Sequence, residues 1–209
     1  MRKSMTQVLA ASALFGLMGL SSAQASEAEA SMLANTCNGC HGPNGVSQGP
    51  AAPTIAGMNK FYLTESMKAY RDGKNRPSTI MSRISKGYTD AEIEKIAGHF
   101  SAMPFGRVAM QKTDAAMADK GKALIKDLCE SCHEKDGYAA EDYPILAGQM
   151  LPYLRNNLMD FESGMRSIDN NPNMSDKEKR KKKRTLAELK DKHGVEGVEA
   201  VLQFYASRK

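Results

Sequence analysis

The pentapeptide Cys37-Asn38-Gly39-Cys40-His41 returns in the second half of the chain as Cys129-Glu130-Ser131-Cys132-His133. Two thiols three positions apart share one face of a helical turn. There they can form thioethers with the two vinyl groups of a single haem. The histidine that follows then lies beneath the iron and offers a neutral imidazole as proximal ligand. This is the attachment pattern of c-type haem. All four cysteines of the chain fall in the two pentapeptides, so none is left for a disulfide. A single copy could also be a redox or zinc-binding pair that happens to precede a histidine. Two copies in matching surroundings favour haem.

The chain's start reads as an export signal over residues 1–25. Arg2 and Lys3 form a basic beginning, Val8 to Leu20 an apolar run too short to span a bilayer comfortably, and Ala23-Gln24-Ala25 a small-x-small cleavage site. Cleavage before Ser26 leaves 184 of the 209 residues and lowers the net charge from +5 to +3 by removing two basic residues and no acidic ones. No later stretch is apolar enough to cross a membrane. The expected location is a bacterial periplasm. The charge gives no reason to expect nucleic acid as a partner. Aromatic residues are scarce and tryptophan is absent. That is thin material for two small cores, and a haem in each would supply apolar bulk.

The surroundings of the motifs repeat. Leu33 lies four residues before Cys37, and Ile125 four before Cys129. Each stretch, Glu27 to Thr36 and Lys120 to Leu128, is a helix candidate. A Gly/Pro/Ser-rich loop from Gly42 to Pro53 follows the first motif. Pro53-Thr54-Ile55-Ala56-Gly57 is echoed by Pro144-Ile145-Leu146-Ala147-Gly148. Helices with one apolar stripe come next: Leu63, Met67, Tyr70 and Leu154, Leu158, Phe161. Gly73 and Gly164 are stop signals. Each half closes with a last helix. Thr89 to Glu92 is a capping box before Ile93, Ile96 and Phe100, and Val198, Val201 and Tyr205 repeat the spacing. No strand signal of any length appears. The expectation is an all-α fold of two tandem units from internal duplication, at 26–108 and 114–209 with a linker at 109–113.

Ligation of the sixth position decides whether such a haem binds small molecules or chiefly carries electrons. The repeat selects Met81, in a stretch opened by Pro77 and expected to be non-helical, and Met174, just after Pro172. Met165 is a weaker choice, and Met67 and Met159 sit at packing positions. From Met81 to Phe100 is 19 residues, and from Met174 to Tyr205 is 31. The second half therefore carries about twelve extra residues, including the run Lys179 to Arg184. Ser175 and Glu178 could cap a helix bearing that run. It reads either as a solvated charged face or as a patch that docks an acidic partner. It could also displace Met174 or bring a lysine to the iron. His99 and His193 fit no ligand position of the repeat. The Pro53 and Pro144 carbonyls could accept the proximal histidine's Nδ1–H.

The halves resemble small class I cytochrome c domains. The whole is similar to the two-haem cytochrome subunit of flavocytochrome c sulfide dehydrogenase. The resemblance lies in Ser78 to Tyr88, Asp142 to Gln149 and Phe204 to Ser207. It implies two covalently bound haem c groups, held by Cys37, Cys40, His41, Cys129, Cys132 and His133. The irons would be ligated by His41 and Met81 and by His133 and Met174. It also implies a heterodimer with an FAD-containing flavoprotein that oxidises sulfide, and a soluble cytochrome c as electron acceptor. On this reading the chain is an electron-transfer subunit and not an enzyme. The rivals are a free-standing two-haem carrier, a small peroxidase with an open haem, and a haem-free zinc or thiol protein.

Overall fold

The computed structural model describes residues 26–73, 75–76, 78–107, 111–139 and 143–209. The proposed signal at 1–25, Pro77, Asp142 and linker residues 109 and 110 lie outside them. The described chain is helical, with no strand among its residues and one isolated bridge between Glu134 and Ala139. Helix α1 spans residues 26–35 and leads into the first motif, whose turn is α2 (Asn38–His41). Then come α3 (Lys60–Asp72), α4 (Met81–Ile84) and α5 (Asp90–Ser101). The second half opens with α6 (Ala115–Leu124), which runs through a wider π-helical turn at Ile125–Cys129 into the second motif. The distorted turn α7 (Glu134–Gly137) follows, then α8 (Leu151–Glu162) and α9 (Asp176–Ser207).

Local chemistry sets the boundaries. The Asn59 side chain accepts the Tyr62 N–H at 2.6 Å and starts α3, and Gly73 ends it in the left-handed conformation at φ 67°. Thr89 and Glu92 form the expected capping box of α5. Ser175 and Glu178 form another at the start of α9.

Two expectations are corrected here. Met81 does not lie in irregular chain: it opens the one-turn α4, tied by its N–H to Ser78 Oγ at 3.2 Å. The basic insert and the last helix are not separate elements. They form a single 32-residue α9, bent where Gly194 takes φ 60°, ψ −161°. A residue with a side chain resists that conformation, so the glycine permits the bend.

The repeat is visible in backbone detail. The Ile55 and Ala56 N–H groups both donate to the Gly45 carbonyl, and those of Leu146 and Ala147 to the Gly137 carbonyl. The Gly57 N–H bonds the Phe100 carbonyl at 2.8 Å, and the Gly148 N–H bonds that of Tyr205 at 2.8 Å. A Cβ on Gly45 would strike the Phe100 ring at 2.7 Å, and one on Gly137 the Tyr205 ring at 2.5 Å. The loop after each motif is thus pressed onto the last helix at one glycine.

Each half has its own apolar cluster. Ala34, Ile96 and Phe100 anchor the first. Ile125, Leu154, Leu189, Val201 and Phe204 anchor the larger second. Phe204 is wholly buried, and its truncation to Ala is worth about 3–5 kcal/mol. The helix before each motif packs on the last helix. For α6 and α9 the approach is close enough that a Cβ on Gly121 would sit 2.2 Å from the Ala200 carbonyl oxygen. The halves meet through polar contacts, such as Asn59 Nδ2 donating to the Tyr143 carbonyl at 2.9 Å and the Ser167 N–H to that of Asn75 at 3.2 Å.

Candidate haem sites

Both pentapeptides form the same tight turn. The Cys40 and His41 N–H groups bond the Cys37 carbonyl at 3.2 and 2.9 Å, and those of Cys132 and His133 bond the Cys129 carbonyl at 3.1 and 3.0 Å. All four thiols are free. Burial raises the Cys37 thiol above its ordinary range and pushes Cys129 up to about 11. Reactive redox cysteines are lowered instead, so Cys37 and Cys129 lack the activation of an exchange thiol. Among the described residues no three His, Cys, Asp or Glu side chains are grouped to hold a metal ion, as a structural zinc site requires.

The histidines are oriented from behind. His41 Nδ1 lies 2.8 Å from the Pro53 carbonyl oxygen, and His133 Nδ1 3.2 Å from that of Pro144. A carbonyl only accepts, so Nδ1 carries the hydrogen and Nε2 is left with its lone pair. Burial lowers the pKa of both rings. That of His133 falls to about 4, with Lys182 adding repulsion. The neutral imidazole that iron requires is therefore the native form at neutral pH.

The second motif opens onto a cavity of about 370 Å³, within the size range of cofactor sites. Cys129, Cys132, His133 and Met174 all line it. Tyr143 stands edge-on to His133 with ring centroids 5.8 Å apart. The first half supplies part of the wall from α3 and its flank, including Tyr62 and Arg76.

Lys68, Arg76, Arg166, Lys181 and Lys182 line this space, and three of them, Arg76, Arg166 and Lys182, each lie over an aromatic ring. Arg76 is 6% exposed. It donates to Ser66 Oγ at 2.7 Å, shares Asn157 Oδ1 with Arg166 and lies over the Tyr70 ring. Lys182 sits 3.8 Å above the centre of the Phe161 ring. No ion pair to a carboxylate is made by any of the three among the described residues. Two buried hydroxyls on the same cavity, Tyr62 and Tyr205, have no well-directed hydrogen-bond partner among the described residues. Burial alone raises the Tyr62 phenol, but Arg76 and Arg166 outweigh it and bring it down to about 7, although neither makes a well-directed bond to the hydroxyl. Unpaired buried cations and hydroxyls are costly. An apolar macrocycle with two carboxylates matches this lining, so the residues present fit a haem.

The first candidate site is arranged differently. Cys37 packs with Leu33, Ile55, Leu63 and Tyr88 around the first core. Met81 is partly exposed between Ile80, 62% exposed, and Ile84, 42% exposed. Met174 is 9% exposed. Met67 accepts a hydrogen bond from Ser85 at 3.6 Å, in keeping with a packing role. Neither Met159 nor Met165 reaches inward; both are 56% exposed. His99 packs against Phe100 and His193 is exposed. Sequence reasoning allowed that the basic run could bring a lysine inward but did not say which; the lysine whose amine lies over the Phe161 ring beside the cavity is Lys182. The clue was available: on a helix capped at Ser175, Lys182 falls one turn after Glu178 and one before Leu186, and both of these also line the cavity.

An all-helical fold with paired Cys-x-x-Cys-His turns, each histidine held from behind, defines a protein built for covalently attached haem. Comparison with known proteins agrees. The family described as "Cytochrome c" matches residues 25–104. Cytochrome c-554(548) of Halomonas halodenitrificans is 36% identical over 61 residues, covering 28% of this chain and 74% of that protein. The thiosulfate dehydrogenase electron acceptor of Thiomonas intermedia is 31% identical over 131 residues, covering 57% of this chain and 60% of that protein. The reduced cytochrome c4 structure from Pseudomonas stutzeri superposes with a TM-score of 0.72 at 25% identity, covering 88% of this chain and 98% of the other. The chain belongs to the class I cytochrome c family, and its fold is that of two tandem domains of this class. It spans 55–67% of the length of six curated relatives that match it over more than half its length.

Proposed function

We propose that this chain is a periplasmic two-haem electron carrier that receives electrons from a partner dehydrogenase and releases them to a soluble cytochrome c. It does not itself transform a substrate. The observation that carries the reading is the duplicated motif turn with its histidine fixed by a proline carbonyl. When bound, haem c supplies a one-electron iron couple. The chain's own residues do the rest. Cys37, Cys40, Cys129 and Cys132 would anchor the two groups, and His41 and His133 would present Nε2 to the irons. Met81 and Met174 would close the opposite faces and exclude small molecules. Arg76, Arg166 and Lys182 would neutralise carboxylates at the second site.

The finer assignment is the donor. The resemblance to the flavocytochrome c subunit points to an FAD-containing sulfide-oxidising partner. The Thiomonas relative, named as an electron acceptor of thiosulfate dehydrogenase, points to the same class, an enzyme oxidising an inorganic sulfur compound. A free-standing carrier of the cytochrome c4 kind is the alternative, favoured by near-complete overlap with that structure.

The test is production of the full chain in a host that matures c-type cytochromes. Mass spectrometry should show two added haems and loss of residues 1–25, and the oxidised protein should show the sulfur-to-iron charge-transfer band. Fewer than two haems, or rapid cyanide binding to one iron, overturns the reading. Purification from the native cell then separates the donors: a bound flavoprotein supports the subunit assignment, and a flavin-free monomer supports the carrier.

A further inference from the structure

Each carbonyl that holds a histidine belongs to a peptide group whose N–H is donated across to the other half of the molecule. In the first half, the Pro53 carbonyl takes His41 Nδ1–H at 2.8 Å. The N–H of that same peptide, on Thr54, is donated to Gln149 Oε1 at 3.0 Å. Gln149 returns its amide N–H to the Thr54 carbonyl at 2.9 Å. In the second half, the Pro144 carbonyl takes His133 Nδ1–H at 3.2 Å. The N–H of that peptide, on Ile145, is donated to Met58 Sδ at 3.1 Å. Met58 and Gln149 hold the same place in the repeat, one residue after Gly57 and Gly148. Both are buried, at 3% and 1% exposure. Their acceptors differ: a carboxamide oxygen is strong and a thioether sulfur weak.

We infer that Gln149 and Met58 are positioning residues that set unequal electron donation to the two irons, each acting on the site in the opposite half. This rests on the two-haem reading above. A peptide whose N–H is well accepted becomes a better acceptor at its carbonyl, because hydrogen bonds in a chain polarise one another. A better acceptor behind the histidine makes the imidazole a more basic ligand. A more basic ligand favours the oxidised iron and lowers its reduction potential. Gln149 therefore lowers the first site's potential more than Met58 lowers the second's. The shorter His41 bond agrees in direction. By this contribution the second site is the electron sink.

The experiment uses the full chain with both haems attached, and follows each midpoint potential by spectroelectrochemistry with the haems assigned by NMR. Gln149→Met should raise the potential at the His41 site and leave the His133 site unmoved. Met58→Gln should lower the potential at the His133 site, and Met58→Leu, which keeps the volume and loses the sulfur, should raise it. Each shift is expected to reach up to about tenfold in that site's reduction equilibrium, or about 59 mV for one electron. A contact that merely glued the halves together would not give opposite signs for two substitutions of Met58. Potentials that stay put, that move in the residue's own half, or that move equally in both halves overturn the inference while two haems are still counted. A parent chain with fewer than two haems overturns the functional reading, and the inference with it.

Discussion

The two halves carry one motif in opposite settings. The first candidate site has its methionine at a partly exposed rim flanked by Ile80 and Ile84. The second has its methionine buried and opens into a cavity walled by both halves, where Arg76, Arg166 and Lys182 make no ion pair to a carboxylate among the described residues. Both halves carry the same motif turn with its histidine set against a proline carbonyl. What changed is the surroundings, and these determine potential and access. The first site has an apolar, exposed rim at Ile80 and Ile84. On the proposed two-haem reading, the cations of the second would hold negative charge inside and favour reduced iron there. The bias from the cations and the bias from the Gln149 and Met58 contacts run the same way.

The comparison breaks most sharply at the two methionines proposed as sulfur ligands. Met81→Ala and Met174→Ala should each lower the potential of one haem only, and axial ligation spans about 0.8 V across haem proteins. Cyanide should then bind the altered site. Met81→Ala should open to it faster, because its surroundings are already exposed and Met174 is enclosed. Equal rates would show that the burial difference does not govern access.

The cations come next. Arg76→Gln, Arg166→Gln and Lys182→Met should each lower the second potential and leave the first nearly still. A unit charge roughly 10 Å away is worth about 1–2 kcal/mol at an effective dielectric of about 20. Arg76 is the most informative, because it comes from the first half of the sequence. If Arg76→Gln moved the first haem instead, the cavity would be serving the wrong site.

The pH dependence separates the halves again. Burial first, and then Arg166 and Arg76, hold the Lys182 ammonium down to about 7. Losing its proton removes a positive charge beside the second site, which favours oxidised iron. The second potential should therefore fall as pH rises through Lys182's range, and the first should not follow. A carboxylate bound beside Lys182 stabilises its charged form and moves the fall to higher pH. Lys182→Met should remove the fall altogether. Redox titration from pH 6 to 10, roughly three units above that value, covers the range.

The repeat was legible because its signals are local. Cys-x-x-Cys-His, the glycines at 57 and 148 and the Thr89 box each act within a few residues, so spacing alone reveals them. The histidine–proline contacts were legible for the same reason, once the repeat aligned Pro53 with Pro144. The reach of Lys182 was not, because it depends on how a bent 32-residue helix lies on α8 and on the cavity. Composition shows Lys179 to Arg184 as one basic run. The helix divides it by period: Lys181 and Lys182 turn toward the cavity, while Lys183 pairs with Asp169 at 2.6 Å. The crossed contacts of Gln149 and Met58 were equally hidden, since they join residues about 90 positions apart.

The smallest effect expected tests whether the insert is part of the second site. Thr89 and Ser175 cap α5 and α9 through the same box with a glutamate three residues on. Replacing either by Ala should cost about 1 kcal/mol, or roughly 2–4 °C in Tm for a chain of this size. The downstream connections differ. Among the described residues the Glu92 carboxylate bonds only within its cap. Glu178 also accepts the Tyr143 hydroxyl at 2.8 Å, and Tyr143 stands edge-on to His133. Ser175→Ala should therefore broaden or shift the spectrum of the second haem while Thr89→Ala leaves both spectra alone, at matched loss of stability. Identical spectra for the two variants would show that the start of α9 is an independent surface feature, and that the second cavity is closed without it.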